Sequence, residues 1–509
     1  MAHSSAVSAQ AGVLPEYHAQ IGDDAVAHSV SKLQKASQGL AEYVKKDALC
    51  EIQSLPCQTE DETIGYRCKC SFQILHEETK KNEADAEELD DERQYEYQYA
   101  MRHKGEPVAL TGIPFFPVAN PRIQLAMQHF FTEVLNASEK FPNLVNPNLA
   151  SLTFAASWSG YDFPDREDPN KSSAVANDDE NLKWISDCIL TLNYDNPLHD
   201  KETWSEEAQR VCQLIHLTQV HGRSKNVFLS AKESSSERVA GNYLRDTIFL
   251  YPPHESNNKG SWEVSLLQKH QQQNRDQATF SIPVHYQKPE TAFFHPNAFV
   301  MCRALTWMLD RIAAIGKDAS SSCRLLEMYC GCGAHTIALA KSGLLESIQA
   351  IELDQRLVDA GRANMKLNGI SGSTGATRGG SDSINGPDSS TTGKTMALVQ
   401  IVHGNAGKWA RQQQNQRRNK TETAEQEETY NILLVDPPRQ GLDAQVIQMA
   451  VKGENFQHVL IISCGHEALV RDLKQLCWYF VIVNCTQLDL FPRTDSVETL
   501  VHLRRREPT

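Results

Sequence analysis

From residue 298 onward the chain changes its hydrophobic period again and again. "AFVMCRALTWMLDRIAAI" has apolar residues at helical spacing. "CRLLEMY" is a short apolar run, and "CGCGAHTIALAKSG" turns through glycines into a second helical pattern that Gly343 closes. "IQAIEL" reads as a strand and "RLVDAGRANMKLNG" as a helix. "MALVQIVHG", "YNILLVD", "HVLIIS" and "YFVIVNCTQLDLF" supply further strands, with Val497 and Leu500 to Leu503 forming the last. Strands that alternate with helices need crossover connections, which puts helices on both faces of a mostly parallel sheet. The pattern predicts an α/β domain over 291–509.

The residues before it are less regular. "GYRCKCSFQIL", "LASLTFAASW", "CILTLNY" and "KNVFLS" read as strands, and "QLAMQHFFTEVL" and "WSEEAQRVCQLIHLTQV" as helices. An α+β domain with an antiparallel sheet is expected over 46–290, preceded by an N-terminal extension with a helix over 1–45. Five polar segments read as surface loop expansions: Glu77–Arg93, Tyr161–Glu180, "LQKHQQQNRDQ" from Leu267, the Gly/Ser-rich stretch ending at Lys394, and "RQQQNQRRNKTETAEQEE" from Arg411.

A net charge of −14 speaks at first against a polyanionic partner. Its placement removes the objection. Glu77–Arg93 carries −6 and Tyr161–Glu180 carries −5, so the remainder of the chain is close to neutral at −3. Thirteen cysteines, an odd number without repeating spacing, argue for reduced thiols in a chain of 509 residues. Cys50, Cys57, Cys68 and Cys70 match no zinc spacing, and no metal is expected. No apolar run approaches the roughly 20 residues of a membrane span. The N-terminus has neither a signal core nor transit-peptide character, so the expectation is a cytoplasmic protein, with nucleus or organelle left open.

Four sites carry chemistry. In "EMYCGCG", Gly331 and Gly333 form a turn after a strand, where a ligand can approach the backbone and the next helix offers free N–H groups. Thr336 stands where a dinucleotide fingerprint needs its third glycine. Glu352 ends the next strand 21 positions after Gly331, placed to accept ribose hydroxyls, which fits an adenosine-bearing ligand such as S-adenosylmethionine. "DPPRQG" follows another strand. Asp436, Pro437, Pro438 and Arg439 would make a rigid, donor-poor wall for a planar base. Cys464 ends the strand "HVLIIS" just before a helix, whose start is expected to lower the thiol's pKa. Glu498, among apolar neighbours, could have a raised pKa and act as a base.

In order, "LLEMYCGCGAHTIALA", "AIELDQRLVDAGRANMKLNGI", "LLVDPPRQGLD", "IISCGHEALVRDL" and "LFPRTDSVETLVHL" resemble the RNA 5-methyluridine methyltransferases. "LPEYHAQ", "VSKLQ", "YRCKCSFQI" and "ETAFFHPNAFVM" look most like the tRNA (uracil-5-)-methyltransferase branch. The resemblance implies a Rossmann-like class I methyltransferase domain, plus an N-terminal domain that grips RNA. It implies methyl transfer from S-adenosylmethionine to C5 of a uridine in tRNA, expected at T-loop uridine 54, through a covalent Cys–C6 adduct. Cys464 then matches the nucleophile and Glu498 the base. Tyr329, Glu352 and Asp436 match cofactor-contacting positions. Three departures stand out: His295 for Gln, Ala334 for Asn, and Gly465-His466 for Asn-Pro. Tyr66, Arg67 and Lys69 are candidates for contact with the RNA. A monomer is expected. Rival readings are C5 methylation of ribosomal RNA, an amino-nitrogen methyltransferase built on the D-P-P corner, and a non-catalytic RNA-binding relative.

Overall fold

The computed structural model describes residues 24–45, 50–79, 94–103, 106–109, 116–158, 187–198, 200–224, 227–232, 243–253, 260–266, 281–290, 295, 297–318, 322–372, 396–419, 430–452 and 455–507. The segments 161–180, 267–277 and 373–394, and most of 77–93, read above as loop expansions, lie outside these residues, as does "LPEYHAQ".

The chain begins with helix α1 (Ala25–Lys45) and a short strand β1 (Ile52–Leu55). Strands β2 (Lys69–Thr79), β3 (Gln94–His103) and β4 (Glu106–Ala109) follow. Helix α2 (Pro121–Phe130) begins on an Asn120 cap with Pro at its first turn. Then come β5 (Leu149–Ala156), β6 (Cys188–Tyr194), α3 (Lys201–Leu214), β7 (Gln219–Ser224) and β8 (Val227–Lys232). β2 to β8 form one sheet in the order β4-β3-β2-β5-β6-β7-β8. Every pairing in it is antiparallel except β6 with β7, which α3 connects as a crossover. The helix expected over "WSEEAQRVCQLIHLTQV" ends at Leu214, because His216 takes a left-handed φ of 55° and the remainder becomes β7.

Three more strands, β9 (Tyr243–Tyr251), β10 (Glu263–Ser265) and β11 (Ile282–Pro289), form a small antiparallel sheet. The C-terminal part then runs α4 (Ala298–Asp318), β12 (Arg324–Met328), α5 (Ala334–Lys341), β13 (Ser347–Glu352) and α6 (Gln355–Leu367). It continues with β14 (Leu398–His403), α7 (Ala406–Asn419), β15 (Ile432–Val435), α8 (Ala444–Lys452) and β16 (His458–Ser463). It closes with α9 (His466–Leu476), β17 (Phe480–Leu488) and β18 (Glu498–Arg505). Their sheet has the order β1-β17-β18-β16-β15-β12-β13-β14. Only β18 runs against its neighbours, and all other pairings are parallel. This is the α/β sheet expected from the sequence.

Three features differ from expectation. "RQQQNQRRN", read as the start of a loop, continues helix α7 to Asn419; the buried Ala410 anchors its first turns and Arg and Gln are good helix formers. β1, expected in the preceding domain, pairs with β17 and covers what would be the sheet's open edge. The β9–β11 sheet shares its core with α4, α5 and α6 through Ile248, Trp262, Val284 and Tyr286, not with β2–β8. Helix α1 also lies on the C-terminal sheet, where Leu40 and Val44 pack with Leu326 and Ile461. Cys68 and Cys70, one residue apart near the start of β2, enter two different cores, and all the cysteines are free.

Candidate active site

The register of the large sheet aligns the strand ends that matter. Met328 pairs with Val435, and Val435 with Ile461, so the chain leaves β12, β15 and β16 at one edge. Tyr329, Asp436 and Cys464 sit just past those three strands, and Glu352 ends β13 beside them. β18 reverses direction, so its first residue lies at the same edge. Ser463 pairs with Thr499, so Cys464 and Glu498 each lie one residue beyond that pair, at the same edge. One catalytic candidate comes from a strand's end and the other from its antiparallel neighbour's beginning.

The glycine turn has the shape expected of it. Gly331 and Gly333 have φ of 57° and 82°, and nothing lies within 4 Å of where a Cβ on Gly331 would stand. Tyr329 also has positive φ, 65°, which is costly for a bulky residue and marks a site held by its surroundings. Its hydroxyl donates to Asp443 Oδ2 at 2.9 Å. Glu352 accepts the N–H of Gly331 at 2.9 Å and that of Asp354 at 2.8 Å. The half-exposed carboxylate keeps unused lone pairs for a ligand's hydroxyls. The carbonyl of Ala334 accepts from Tyr286, which ties the first turn of α5 to β11.

Around the edge lies a cluster of buried ionisable groups. Burial, then the Asp436 carboxylate, holds Glu498 well above the usual carboxylate range. Burial pushes Asp436 up to about 6, with His335 opposing and Glu327 reinforcing. Burial lowers His295 to about 3, and the neighbouring His335 lowers it further, so its ring is neutral. Burial works against a charged His335, yet Glu327 and Asp436 outweigh it and raise its pKa.

Cys464 corrects the sequence reading. Its thiol was expected to be lowered by the start of α9. Instead burial, then Glu498 and Asp436, push it up to about 11, against Arg439, whose positive charge favours the thiolate. Proline 437 is buried, whereas Pro438 and Arg439 are exposed.

In the N-terminal part, Tyr66 is buried and its hydroxyl donates to the carbonyl of Pro492, so it supports the loop before Glu498 instead of facing a partner. Arg67 donates to Lys69 O and stacks 5.8 Å from the Phe491 ring. Lys69 donates to Glu290 O at 2.7 Å. Two members of the cluster went unassigned in the sequence: Glu327, fully buried and accepting from Thr336 at 2.6 Å, and His335, 3.6 Å from Glu327. The available signal was a lone acid inside the apolar run "LLEM". Among the described residues no three His, Cys, Asp or Glu are grouped to hold a metal ion, and no helix is long and apolar enough to cross a membrane.

Residues 270–374 and 383–506 match the sequence model of a family described as tRNA (Uracil-5-)-methyltransferase. These 229 residues, of the chain's 509, are similar to that family. A tRNA/tmRNA (uracil-C(5))-methyltransferase of Marinomonas sp. (strain MWYL1) is 31% identical over 222 residues, covering 44% of this chain and 51% of the relative. One of the same name from Mannheimia succiniciproducens is 30% identical over 239 residues, covering 46% and 56%. The chain thus spans about half the length of the curated relatives it matches. Among solved structures, Pyrococcus abyssi tRNA (uracil-54, C5)-methyltransferase in complex with S-adenosyl-L-homocysteine aligns over 93% of this chain and 83% of its own. The TM-score is 0.50 at 14% identity, a likeness of fold. The C-terminal sheet and its helices therefore have a Rossmann-like fold. Within the family-matched residues lie Glu352, Asp436, Cys464 and Glu498.

Proposed function

We propose that the chain is an S-adenosylmethionine-dependent tRNA (uracil-5-)-methyltransferase that acts on a T-loop uridine, at position 54. The observation that carries this reading is the register of Ser463 with Thr499 across β16 and β18, which puts Cys464 and Glu498 at one edge of the sheet, beside the glycine turn. A pyrimidine C5 is a poor nucleophile, and the pairing supplies what it needs. Cys464 Sγ gives its electron pair to C6, and the ring's double-bond electrons move toward C5 and the C4 oxygen. C5 then accepts the methyl group. Glu498, in its ionised form, takes the C5 proton, the ring double bond re-forms, and the sulfur leaves with its pair. Both side chains must meet one base lifted out of its stack.

The residues fit the donor. The open space at Gly331, the free lone pairs of Glu352 and the buried, unpartnered Nδ1 of His295 and Nε2 of His335 support a nucleoside with a polar tail. Gly333 and Tyr329 complete that wall, with Ala334 opening α5. When bound, S-adenosylmethionine supplies an electrophilic methyl group on a sulfonium. On this reading Pro437, Pro438 and Arg439 border the target base, and Arg67 lies on the RNA side, next to Phe491.

The test is methyl transfer from labelled S-adenosylmethionine to unmodified tRNA transcript, with 5-methyluridine mapped by mass spectrometry. Cys464→Ala abolishes transfer while S-adenosylmethionine still binds. Normal turnover by that variant rejects the nucleophile. A tight RNA complex without transfer by the unaltered protein favours the non-catalytic relative.

A further inference from the structure

The loop between β17 and β18 leads directly into Glu498, and side chains from elsewhere in the chain bond one backbone carbonyl after another along it. Asn297 donates to the carbonyl of Leu490 at 3.2 Å, and Tyr66 to that of Pro492 at 3.0 Å. Lys32, on helix α1, donates to the carbonyls of Phe491 at 3.0 Å and Thr494 at 2.7 Å, and lies 2.5 Å from Asp489 Oδ1. His28, one turn earlier on α1, contacts the Thr494 carbonyl at 3.2 Å. An ammonium has three donors, and here three acceptors surround it, all from this loop. Lys32 and Asp489 are both almost completely buried.

The same loop stores strain. Arg493 has φ of 67°, a conformation that persists in a non-glycine residue only where its surroundings over-determine it. Its side chain is buried and donates to Thr63 O and Oγ1. Helix α1 does not need Lys32 for adhesion, because Leu33, Leu40 and Val44 already bury its apolar face. Burying two charges is costly, and a well-packed apolar pair would hold a helix as firmly. The arrangement therefore specifies a loop geometry more than it adds stability.

We infer that Lys32 is a positioning residue for removal of the C5 proton, its ammonium gathering Asp489, Phe491 and Thr494 so that Glu498 stands at the target base. The inference rests on the role given to Glu498 above. It separates two steps that a general loosening of the fold would slow together. Adduct formation needs Cys464, just past the end of β16, which Lys32 does not touch. Resolution of the adduct needs Glu498, which follows the clamped loop.

The experiment measures formation and resolution of the covalent enzyme–RNA adduct in single turnover, as a slow-migrating band on a denaturing gel. Glu498→Gln is the reference. Lys32→Met is compared with Lys32→Met/Asp489→Leu, which leaves no unpaired buried carboxylate and keeps the test open should the single variant fold poorly. In the double variant, S-adenosylhomocysteine affinity and the rate of adduct formation stay within about twofold of wild type. Its adduct resolves on the order of 10²-fold more slowly, the cost of misplacing a reacting group by about 1 Å. A folded double variant that resolves its adduct at the wild-type rate overturns the inference, as does equal slowing of both steps. If Glu498→Gln accumulates no adduct while Lys32→Met/Asp489→Leu does, the base assignment fails and this inference falls with it.

Discussion

The Cβ that Gly465 lacks would stand 2.5 Å from the carbonyl oxygen of Arg439 and 3.2 Å from its carbonyl carbon. The glycine after Cys464 thus exists for a neighbour: the D-P-P-R-Q-G loop lies directly against it. Its φ of −110° is one any residue adopts, so the constraint is steric approach and not backbone conformation. Gly465→Ala must push the backbone at Arg439 away, and Arg439 is the cation whose charge favours the Cys464 thiolate. The expected outcome is a loss of about 1–3 kcal/mol in stability, as for other overpacked sites. Adduct formation slows more than S-adenosylhomocysteine binding weakens. Denaturant melts, single-turnover gels and calorimetry with S-adenosylhomocysteine check the three effects.

A thiol whose pKa is pushed up to about 11 is protonated at neutral pH, and the reactive form is the thiolate. Its fraction rises about tenfold per pH unit until the pKa is reached. Adduct formation under single-turnover conditions should therefore climb with pH through 9 without a plateau. Arg439→Ala, by removing the group that favours the thiolate, lowers the whole profile. A plateau near pH 7.5 in wild type would mean that bound RNA or donor resets the thiol.

Glu498 is buried and its folded pKa lies well above its unfolded value. The folded state therefore holds a proton that the unfolded state releases once pH rises past the unfolded carboxylate's value. Its contribution is most favourable at low pH and becomes a growing penalty as pH rises toward the folded pKa. Glu498→Gln removes that penalty in a nearly isosteric way. The variant's Tm relative to wild type should be higher at pH 8 than at pH 5. A difference that does not change with pH would contradict the buried neutral acid.

Glu352 is bound to Gly331 and Asp354 through their backbone N–H groups, so it shapes the glycine turn and faces the space beside it. Glu352→Ala removes two charge-assisted hydrogen bonds as well as any contact with a ribose, each worth about 1.5–3 kcal/mol. S-adenosylhomocysteine affinity is expected to fall on the order of 10²-fold. Glu352→Gln, which keeps an acceptor, falls less. Titration calorimetry on the two variants distinguishes them.

Much of this site could be read from one-dimensional pattern. Strand ends at Tyr329, Glu352, Asp436 and Cys464 follow from short apolar runs stopping at turn residues, and the glycine turn announces itself. The placement of Cys464 and Glu498 at one edge does not, because it depends on β18 entering between β16 and β17, a long-range pairing that no local period reveals. β1 was missed for a similar reason: "IQSL" is four residues long and mostly exposed, and its partner lies near the other end of the chain. Helix α7 was missed because only its first turns carry apolar residues, and the polar remainder looks like a loop to any test of amphipathicity. The thiol reading failed on magnitude, since burial outweighed the helix start at Cys464.

The pairing of Ile52 with Cys485 also sets a timetable. Gln53 and Thr486 touch across 433 positions of sequence, so β1 meets its neighbour only after β17 has been synthesised. Until then β1 lacks the β17 edge on which it pairs. Closure of the sheet's edge by β1 thus bridges the largest sequence separation of that sheet's strand pairings, the kind of contact that slows folding.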